Sequence, residues 1–106
     1  MITSICSDEL YQRISKKDEM VLLDCRNLED FEQEFIQNSV QAKPCALDNF
    51  INENHNLIKP VVVICANGHR SIKASQFLND EGYENILCLE GGLRLWKEAG
   101  LPTIKA

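Results

Sequence analysis

The chain has 106 residues, of which 44% are hydrophobic and 25% are charged, the balance of an ordinary globular domain. A chain of this length can bury one hydrophobic core but is too short for two, so we expect a single domain spanning residues 1–106. The net charge of −5 provides no basic face for phosphates or anionic lipids, which argues against a nucleic-acid or membrane binder.

The N-terminal sequence and the cysteine content bear on location and on metal binding. The first residues, MITSICSDEL, have no basic start and no long apolar stretch, and no segment reaches the roughly 20 apolar residues of a membrane span. We therefore expect a cytoplasmic protein. The five cysteines are an odd number, are widely spaced and form no C-x-x-C pair, a pattern that disfavours a disulfide framework and a metal site.

Short apolar stretches alternate with stretches of helical periodicity, which is typical of an α/β protein whose parallel sheet is covered on both faces. The first predicted elements are a strand at Thr3–Cys6, a helix from Ser7 or Asp8 to Ile14, a strand at Met20–Asp24, a helix after Asn27 that includes Phe35, a minor strand at Ser39–Ala42 and a short helix at Ala46–Ile51. The remaining ones are a strand at Val61–Ile64, a helix at Ser71–Glu81, a strand at Asn85–Leu89 and a last helix after Gly91–Gly92.

Local signals refine these elements. Asn27 and Asp30 are expected to cap the second helix reciprocally, and Gly82 and Gly100 are expected to end the last two helices. Val61–Ile64 consists only of β-branched residues. We therefore predict that it is the central strand of the sheet, buried on both sides.

Cys65 stands directly after this predicted central strand, where open parallel sheets bind their ligands. In the following loop, CANGHR, Gly68 permits a backbone conformation in which successive N–H groups point inward, and such a nest binds an anion. The helix beginning near Ser71 adds free N–H donors and the positive end of its dipole, and Arg70 adds a guanidinium suited to oxyanions. We therefore expect Cys65 to be largely ionised at neutral pH.

No Cys–His–Asp set is evident in the sequence, and a nucleophile already held as its anion needs no general base. His69 is the nearest candidate for a base, but we expect its side chain to point out of the tight loop. The alternative is that Cys65 is an inert buried thiol at the end of a strand. Its position after the strand, Gly68 and Arg70 all argue against this alternative.

Asp24 and Arg26 lie at the end of an earlier predicted strand. They could touch the site, but the favoured interpretation is a structural ion pair or helix-cap contact beneath the loop. Cys25, between them, is expected to face the opposite way and to pack in the core. A resolving disulfide with the loop cysteine stays open for two further cysteines, Cys45 and Cys88.

Three stretches together resemble a single-domain rhodanese, a sulfurtransferase: VLLDCR, CANGHR followed by SIKA, and LEGGLRLWKEAGLP. The resemblance covers nearly the whole chain and implies a rhodanese-like three-layer fold with a mainly parallel central sheet of about five strands. There is one departure. Rhodaneses commonly carry a Gly-His-Ile-Pro-Gly-Ala-like turn, whereas this chain has EFIQNS at residues 34–39, in which only Ile36 matches, and this difference affects the expected shape of the rim of the site.

The resemblance implies ping-pong sulfur transfer from thiosulfate or a similar small anionic donor, through a persulfide on Cys65, to cyanide or a thiol. By position, Cys65 is the sulfur-bearing nucleophile and Arg70 binds the oxyanion end of the donor. The cradle amides belong to Ala66, Asn67, Gly68, His69, Arg70 and Ser71. The resemblance also allows a protein partner in sulfur relay, and it implies no cofactor, no metal, no nucleic acid and no membrane.

Two other classes of function stay open from the sequence. A phosphatase or arsenate reductase of related fold places a cysteine and an arginine around an oxyanion in the same way. Those loops have five residues between the two, whereas four separate Cys65 from Arg70 here. A non-catalytic interaction domain of the same fold is the third class, and the presence of Cys65 weighs against it.

Overall fold

A computed structural model describes residues 2–42, 47–53, 56–66 and 70–105. Within them, a five-stranded parallel sheet has the order β1-β6-β5-β2-β4, and β3 pairs with β7 in a separate antiparallel ribbon. The elements are β1 Ile2–Ile5, α1 Ser7–Ser15, β2 Val21–Asp24, α2 Leu28–Gln33, β3 Glu34–Phe35, β4 Val40–Gln41, α3 Leu47–Glu53, β5 Val61–Ile64, α4 Arg70–Asp80, β6 Ile86–Leu89, α5 Gly92–Glu98 and β7 Ile104–Lys105.

The strand β5 lies in the middle of the sheet, as its β-branched sequence predicted. It pairs with β2 on one side and β6 on the other, so that Val61 is in register with both Val21 and Ile86. All four of its residues are buried. Alternate β5 side chains belong to two separate core clusters, one on each face of the sheet. This is expected when both faces of a sheet are covered.

Helices cover both faces of the sheet and give the predicted three layers. Residues from α3 and α4, including Leu47 and Leu78, pack with Val61 and Val63 on one face. Residues from α1 and α5, including Leu10 and Trp96, pack on the other face. The α/β fold class inferred from the alternating sequence pattern is therefore confirmed.

The second helix is shorter than its periodicity predicted. It ends at Gln33, and Phe35 belongs to β3, where it pairs with Ile104 of β7. This pairing, made by residues about seventy positions away, overrides the local helical pattern. The predicted reciprocal cap is also wrong: Asn27 occupies the N-cap position, but its side chain makes no capping hydrogen bond.

The predicted glycine ends of the last two helices are confirmed. After α5, Gly100 has φ +76°, its N–H donates to the Lys97 carbonyl at 2.9 Å, and the Leu101 N–H donates to the Trp96 carbonyl at 3.3 Å. This is the Schellman arrangement, which satisfies carbonyls that a helix end would otherwise leave open. Gly82, with φ +97°, ends α4 in the same way.

A buried ion pair closes the carboxyl end of β2. Asp24 is 0% and Arg26 is 7% exposed, and the guanidinium donates to the two carboxylate oxygens at 2.9 Å from Nε and 2.8 Å from Nη2. Nη2 also donates to the Glu34 carbonyl at 2.6 Å. The pair therefore ties the end of β2 to the turn between α2 and β3, which is the structural role that the sequence favoured.

Substituting Arg26 should destabilise the fold strongly. Arg26→Met leaves the Asp24 carboxylate buried without its counter-charge, and we expect a loss of about 3–5 kcal/mol in the free energy of unfolding, measured by urea denaturation. Arg94→Met is the matched control, because it breaks an exposed pair with Glu98 at 3.1 Å and should cost no more than about 1 kcal/mol. Equal losses in the two variants would contradict the structural role of the buried pair.

The glycine before α5 should tolerate alanine less well than the glycine after it. At Gly91, with φ +68°, an added Cβ would lie 2.0 Å from Cδ1 and 2.8 Å from Cβ of Leu95, whereas Gly100 has nothing within 4 Å. Gly100→Ala should therefore cost only the left-handed backbone penalty of about 1–2 kcal/mol, and Gly91→Ala should exceed it by about 1 kcal/mol or more. Urea titrations of the two variants check this order, and a reversed order would refute it.

Candidate active site

Cys65 lies at the carboxyl end of β5 and is fully buried. Its backbone carbonyl accepts a hydrogen bond from the Leu93 N–H at 2.7 Å, and the Ala66 carbonyl accepts one from the Arg94 N–H at 2.9 Å. The first free amides of α5 therefore hold these two carbonyls. Carbonyls engaged in this way are turned toward the helix and do not oppose a negative charge on the sulfur.

Cys25 lies beside Cys65, at the end of the neighbouring strand. Asp24 and Ile64 are in-register partners, and the Cys25 N–H donates to the Ile64 carbonyl at 2.8 Å, which extends the ladder one residue past β2. The two cysteines are fully buried in the same core cluster. They are therefore neighbours on one face of the sheet.

Hydrogen bonding with the Cys65 side chain, followed by burial and by the charges of Cys65 and Asp24, raises the pKa of Cys25 far above that of an ordinary thiol. Cys25 is therefore protonated at neutral pH, and its S–H can serve as a donor to a negative charge on Cys65.

Cys25 packs in the core, as the sequence predicted. Its interaction with Cys65 was not predicted. The available signal was positional. Each cysteine is the first residue after a strand that the sequence predicted correctly at its carboxyl end, and only the knowledge that β2 and β5 are neighbours was missing.

The structure describes three of the other predicted loop residues to different extents. Ala66 is exposed, Arg70 begins α4, and Ser71 is buried and accepts the Ser75 hydroxyl at its carbonyl at 2.6 Å. The interactions expected of the Arg70 guanidinium stay predictions. Four residues with predicted roles, Asn67, Gly68, His69 and Cys45, lie outside the described residues.

Cys88, a candidate resolving thiol in the sequence, lies in β6 opposite Val63. Its sulfur lies 2.8 Å from the Ser75 hydroxyl oxygen. Ser75 belongs to α4, so this contact joins β6 to the helix that follows the loop. Among the cysteines that the structure describes, Cys25 is therefore the one whose side chain hydrogen-bonds with Cys65.

A cavity of about 380 Å³ opens beside Ala66. Its wall carries charges of both signs, from Arg26, Asp30, Glu34, Lys97 and Lys105, together with Gln33 and Leu93. This cavity was not predicted, because Glu34 and Lys105 in its wall belong to β3 and β7, whose pairing no local pattern indicated.

Glu34 holds one side of this cavity together. Its carboxylate accepts hydrogen bonds from Lys97 Nζ at 2.8 Å and from the Thr103 hydroxyl at 2.5 Å, and these two donors lower the pKa of Glu34. The carboxylate therefore stays ionised at neutral pH and fixes the Lys97 ammonium at the cavity wall.

The described residues also bear on metal binding and on membrane insertion. Across 2–42, 47–53, 56–66 and 70–105, no group of three or more His, Cys, Asp or Glu side chains could hold a metal ion. No helix in these ranges has the length and apolar character required to cross a bilayer.

Relatives of known sequence or structure resemble the chain along nearly its full length. A sulfurtransferase of Allochromatium vinosum is 31% identical over 98% of this chain and 96% of its own. The thiosulfate sulfurtransferase GlpE of Coxiella burnetii is 31% identical over 100% of this chain and 96% of its own.

Solved structures agree on the architecture. A rhodanese-related protein of Thermoplasma volcanium superposes with a TM-score of 0.84 and 32% identity, over 96% of this chain and 97% of its own. A Rhodopseudomonas palustris protein described as a possible tyrosine phosphatase superposes with a TM-score of 0.82, over 95% of this chain and 83% of its own. At 24% identity, this second likeness concerns the fold alone.

The match to a family model agrees with these relatives and with the geometry of the strand ends. The model describes the rhodanese-like domain, and it matches residues 7–99, which include both cysteines of the buried pair and the loop after β5. The chain therefore belongs to the rhodanese-like domain family.

Proposed function

We propose that the protein is a sulfurtransferase that carries sulfane sulfur as a persulfide on Cys65, with thiosulfate or a similar small anion as donor. The observation that carries this proposal is the position of Cys65, at the carboxyl end of the central strand with its own carbonyl and that of Ala66 held by α5. The sulfurtransferase names of the relatives support the class of reaction.

In the first step of the proposed reaction, the Cys65 thiolate attacks the outer sulfur of thiosulfate. The sulfur–sulfur bond of the donor breaks, sulfite leaves with the electron pair, and Cys65 becomes a persulfide. In the second step, cyanide or a thiol attacks the outer sulfur of the persulfide, and the Cys65 thiolate is regenerated. Electrons balance between donor and acceptor, so the proposed cycle requires neither a cofactor nor a metal.

Two features of the site favour the anionic sulfur that both steps need. The protonated Cys25 side chain is close enough to hydrogen-bond with Cys65, so its S–H would donate to a Cys65 thiolate, and a hydrogen bond donated to an anion stabilises it. The second feature is the proposed cradle, in which backbone amides from Ala66 to Ser71, at the start of α4, face the persulfide.

Three cationic side chains are proposed to attract the donor. Arg70, at the first position of α4, would bind the sulfonate end of thiosulfate through its planar guanidinium. Lys97 and Lys105, in the cavity beside Ala66, would add local positive charge in a protein whose net charge is −5. A protein acceptor in sulfur relay and a cytoplasmic location stay predictions of the sequence.

The alternative of phosphate or arsenate chemistry is opposed by the loop. Four residues separate Cys65 from Arg70, one fewer than in the phosphatases of related fold, so we expect a ring of loop amides that is too narrow for a tetrahedral oxyanion. The likeness in fold to a possible tyrosine phosphatase does not bear on loop width.

Removing the nucleophile should abolish sulfur transfer. Cys65→Ala should lower thiocyanate formation from thiosulfate and cyanide by at least about a thousandfold, because the proposed sulfur-carrying nucleophile is removed. The Cys88→Ala variant, altered at a thiol bonded to Ser75, is the matched control and should retain activity. Mass spectrometry of the thiosulfate-treated protein should find one added sulfur on Cys65.

Two results would contradict this proposal. Persistence of thiocyanate formation in Cys65→Ala would remove Cys65 from the reaction. Hydrolysis of an aryl phosphate that depends on Cys65, in the absence of sulfur transfer, would favour the phosphatase alternative.

The arginine at the start of α4 should act mainly on donor binding. Arg70→Lys keeps the positive charge but loses the two-pronged hydrogen bonding of a guanidinium, so we expect KM for thiosulfate to rise by about tenfold or more. Lys73→Ala, at an exposed position of the same helix, is the control for general loss of charge and should change KM little. Steady-state kinetics with varied thiosulfate measure both, and equal effects would show that only net charge matters.

A further inference from the structure

The proposed transfer of sulfur uses Cys65 as the nucleophile and the thiol of Cys25 only as a hydrogen-bond donor. A second thiol at the end of the adjacent parallel strand is a specific arrangement, because neighbouring strands lie about 4.8 Å apart and disulfides join Cα atoms about 4.4–6.8 Å apart. Cys25 follows Asp24 and Cys65 follows Ile64, and those preceding residues are in register. The backbone therefore already holds the two cysteines at a separation that a disulfide can span.

The side chains complete this arrangement. Both cysteines are fully buried in one cluster with Leu47, Ala74 and Leu78, and their side chains are close enough to hydrogen-bond. Neither cysteine is in a disulfide in the structure. A bond between them would require no rearrangement of the strands.

We propose that Cys25 is a resolving thiol, which attacks the persulfide on Cys65 to release hydrosulfide and to form a Cys25–Cys65 disulfide. The inference rests on the proposed function, because it begins from the persulfide. In the step, the Cys25 sulfur bonds to the inner sulfur of the persulfide, and the bond between inner and outer sulfur breaks. The outer sulfur takes both electrons of that bond and the proton of Cys25, and it leaves as HS⁻.

Geometry selects the inner sulfur as the point of attack. Displacement at sulfur requires the nucleophile to lie opposite the leaving group. Cys25, Leu47, Ala74 and Leu78 belong to the buried cluster that contains Cys65, so an added sulfur would extend away from these packed side chains. Cys25 would then lie opposite the outer sulfur across the inner one, which favours release of sulfide over transfer of the outer sulfur to Cys25.

The protonation of Cys25 fits this role. Its pKa is raised by the bond to Cys65 and by burial, so the proton is still present when the persulfide forms. That proton is the one that the departing sulfur needs. The same protonation makes attack slower than attack by a thiolate, so an external acceptor such as cyanide can compete for the outer sulfur.

The resolving step gives the protein a second activity and a class of co-substrate. After release of sulfide, the Cys25–Cys65 disulfide must be reduced before another turnover, and a dithiol reduces a disulfide by exchange through a mixed intermediate. The net reaction converts thiosulfate and a dithiol to sulfite, sulfide and the oxidised dithiol. With a dithiol as reductant, the protein therefore acts as a thiosulfate reductase.

The test uses the full chain, reduced, freed of reductant and kept without oxygen, with excess thiosulfate and no acceptor. The wild type should release close to one sulfide per chain, and its intact mass should fall by two hydrogens, with Cys25 and Cys65 linked in the peptide map. Cys25→Ser keeps a hydrogen-bond donor beside Cys65 but cannot form the disulfide. This variant should retain the extra sulfur, and its initial sulfide release should be at least about tenfold slower, because the internal nucleophile is lost.

Cys88→Ser is the matched control and should behave as the wild type does. The linked peptide in the wild type tests the proposal even if Cys25→Ser does not fold, and sulfite in place of thiosulfate should yield no link. A persulfide that stays on wild-type Cys65, or sulfide release by Cys25→Ser at the wild-type rate, would overturn the resolving role while sulfur transfer to cyanide stands. Absence of added sulfur on Cys65 in every variant would instead overturn the proposed function, and this inference with it.

Discussion

The parallel pairing of β2 with β5 is the constraint on which the site depends. It aligns Asp24 with Ile64. One further backbone hydrogen bond, from the Cys25 N–H to the Ile64 carbonyl, extends this pairing one residue beyond β2. The residues that follow two buried strands are thereby fixed by the sheet itself. A reactive sulfur in this position takes its orientation from the most stable part of the molecule, whereas a cysteine further along a loop would not.

The last helix contributes to the site through its backbone. A helix begins with amides that have no partner within the helix, and α5 directs two of them to the carbonyls of Cys65 and Ala66. Gly91, in the left-handed conformation, sets the direction in which α5 starts. The Glu-Gly-Gly segment near the C-terminus therefore has a physical connection to the loop that lies about 25 residues earlier in the chain.

The sequence was informative wherever one residue pattern had one physical explanation. A run of β-branched residues identified β5 with its observed ends, and glycines at two helix ends identified Schellman turns. Prediction failed where a distant partner decided the local structure. Phe35 continues a helical pattern but pairs with Ile104, and no local pattern reveals that choice.

The same limit applied to the site. The position of Cys65 followed from the strand that precedes it, and the favoured role of Asp24 and Arg26 followed from charge at a strand end. The contact between Cys25 and Cys65 required the order of the strands, which neither cysteine encodes in its neighbours in sequence.

The short ribbon of β3 and β7 has a practical consequence for handling the protein. Lys105 lines the charged cavity, and Thr103 donates a hydrogen bond to Glu34 in the cavity wall. The last residues of the described chain are therefore part of the surroundings of Ala66. An affinity tag attached after β7 would follow Lys105, which lines that wall. A tag before β1, an edge strand on the other side of β6 and β5, would leave the cavity open for kinetic work and for crystal soaking.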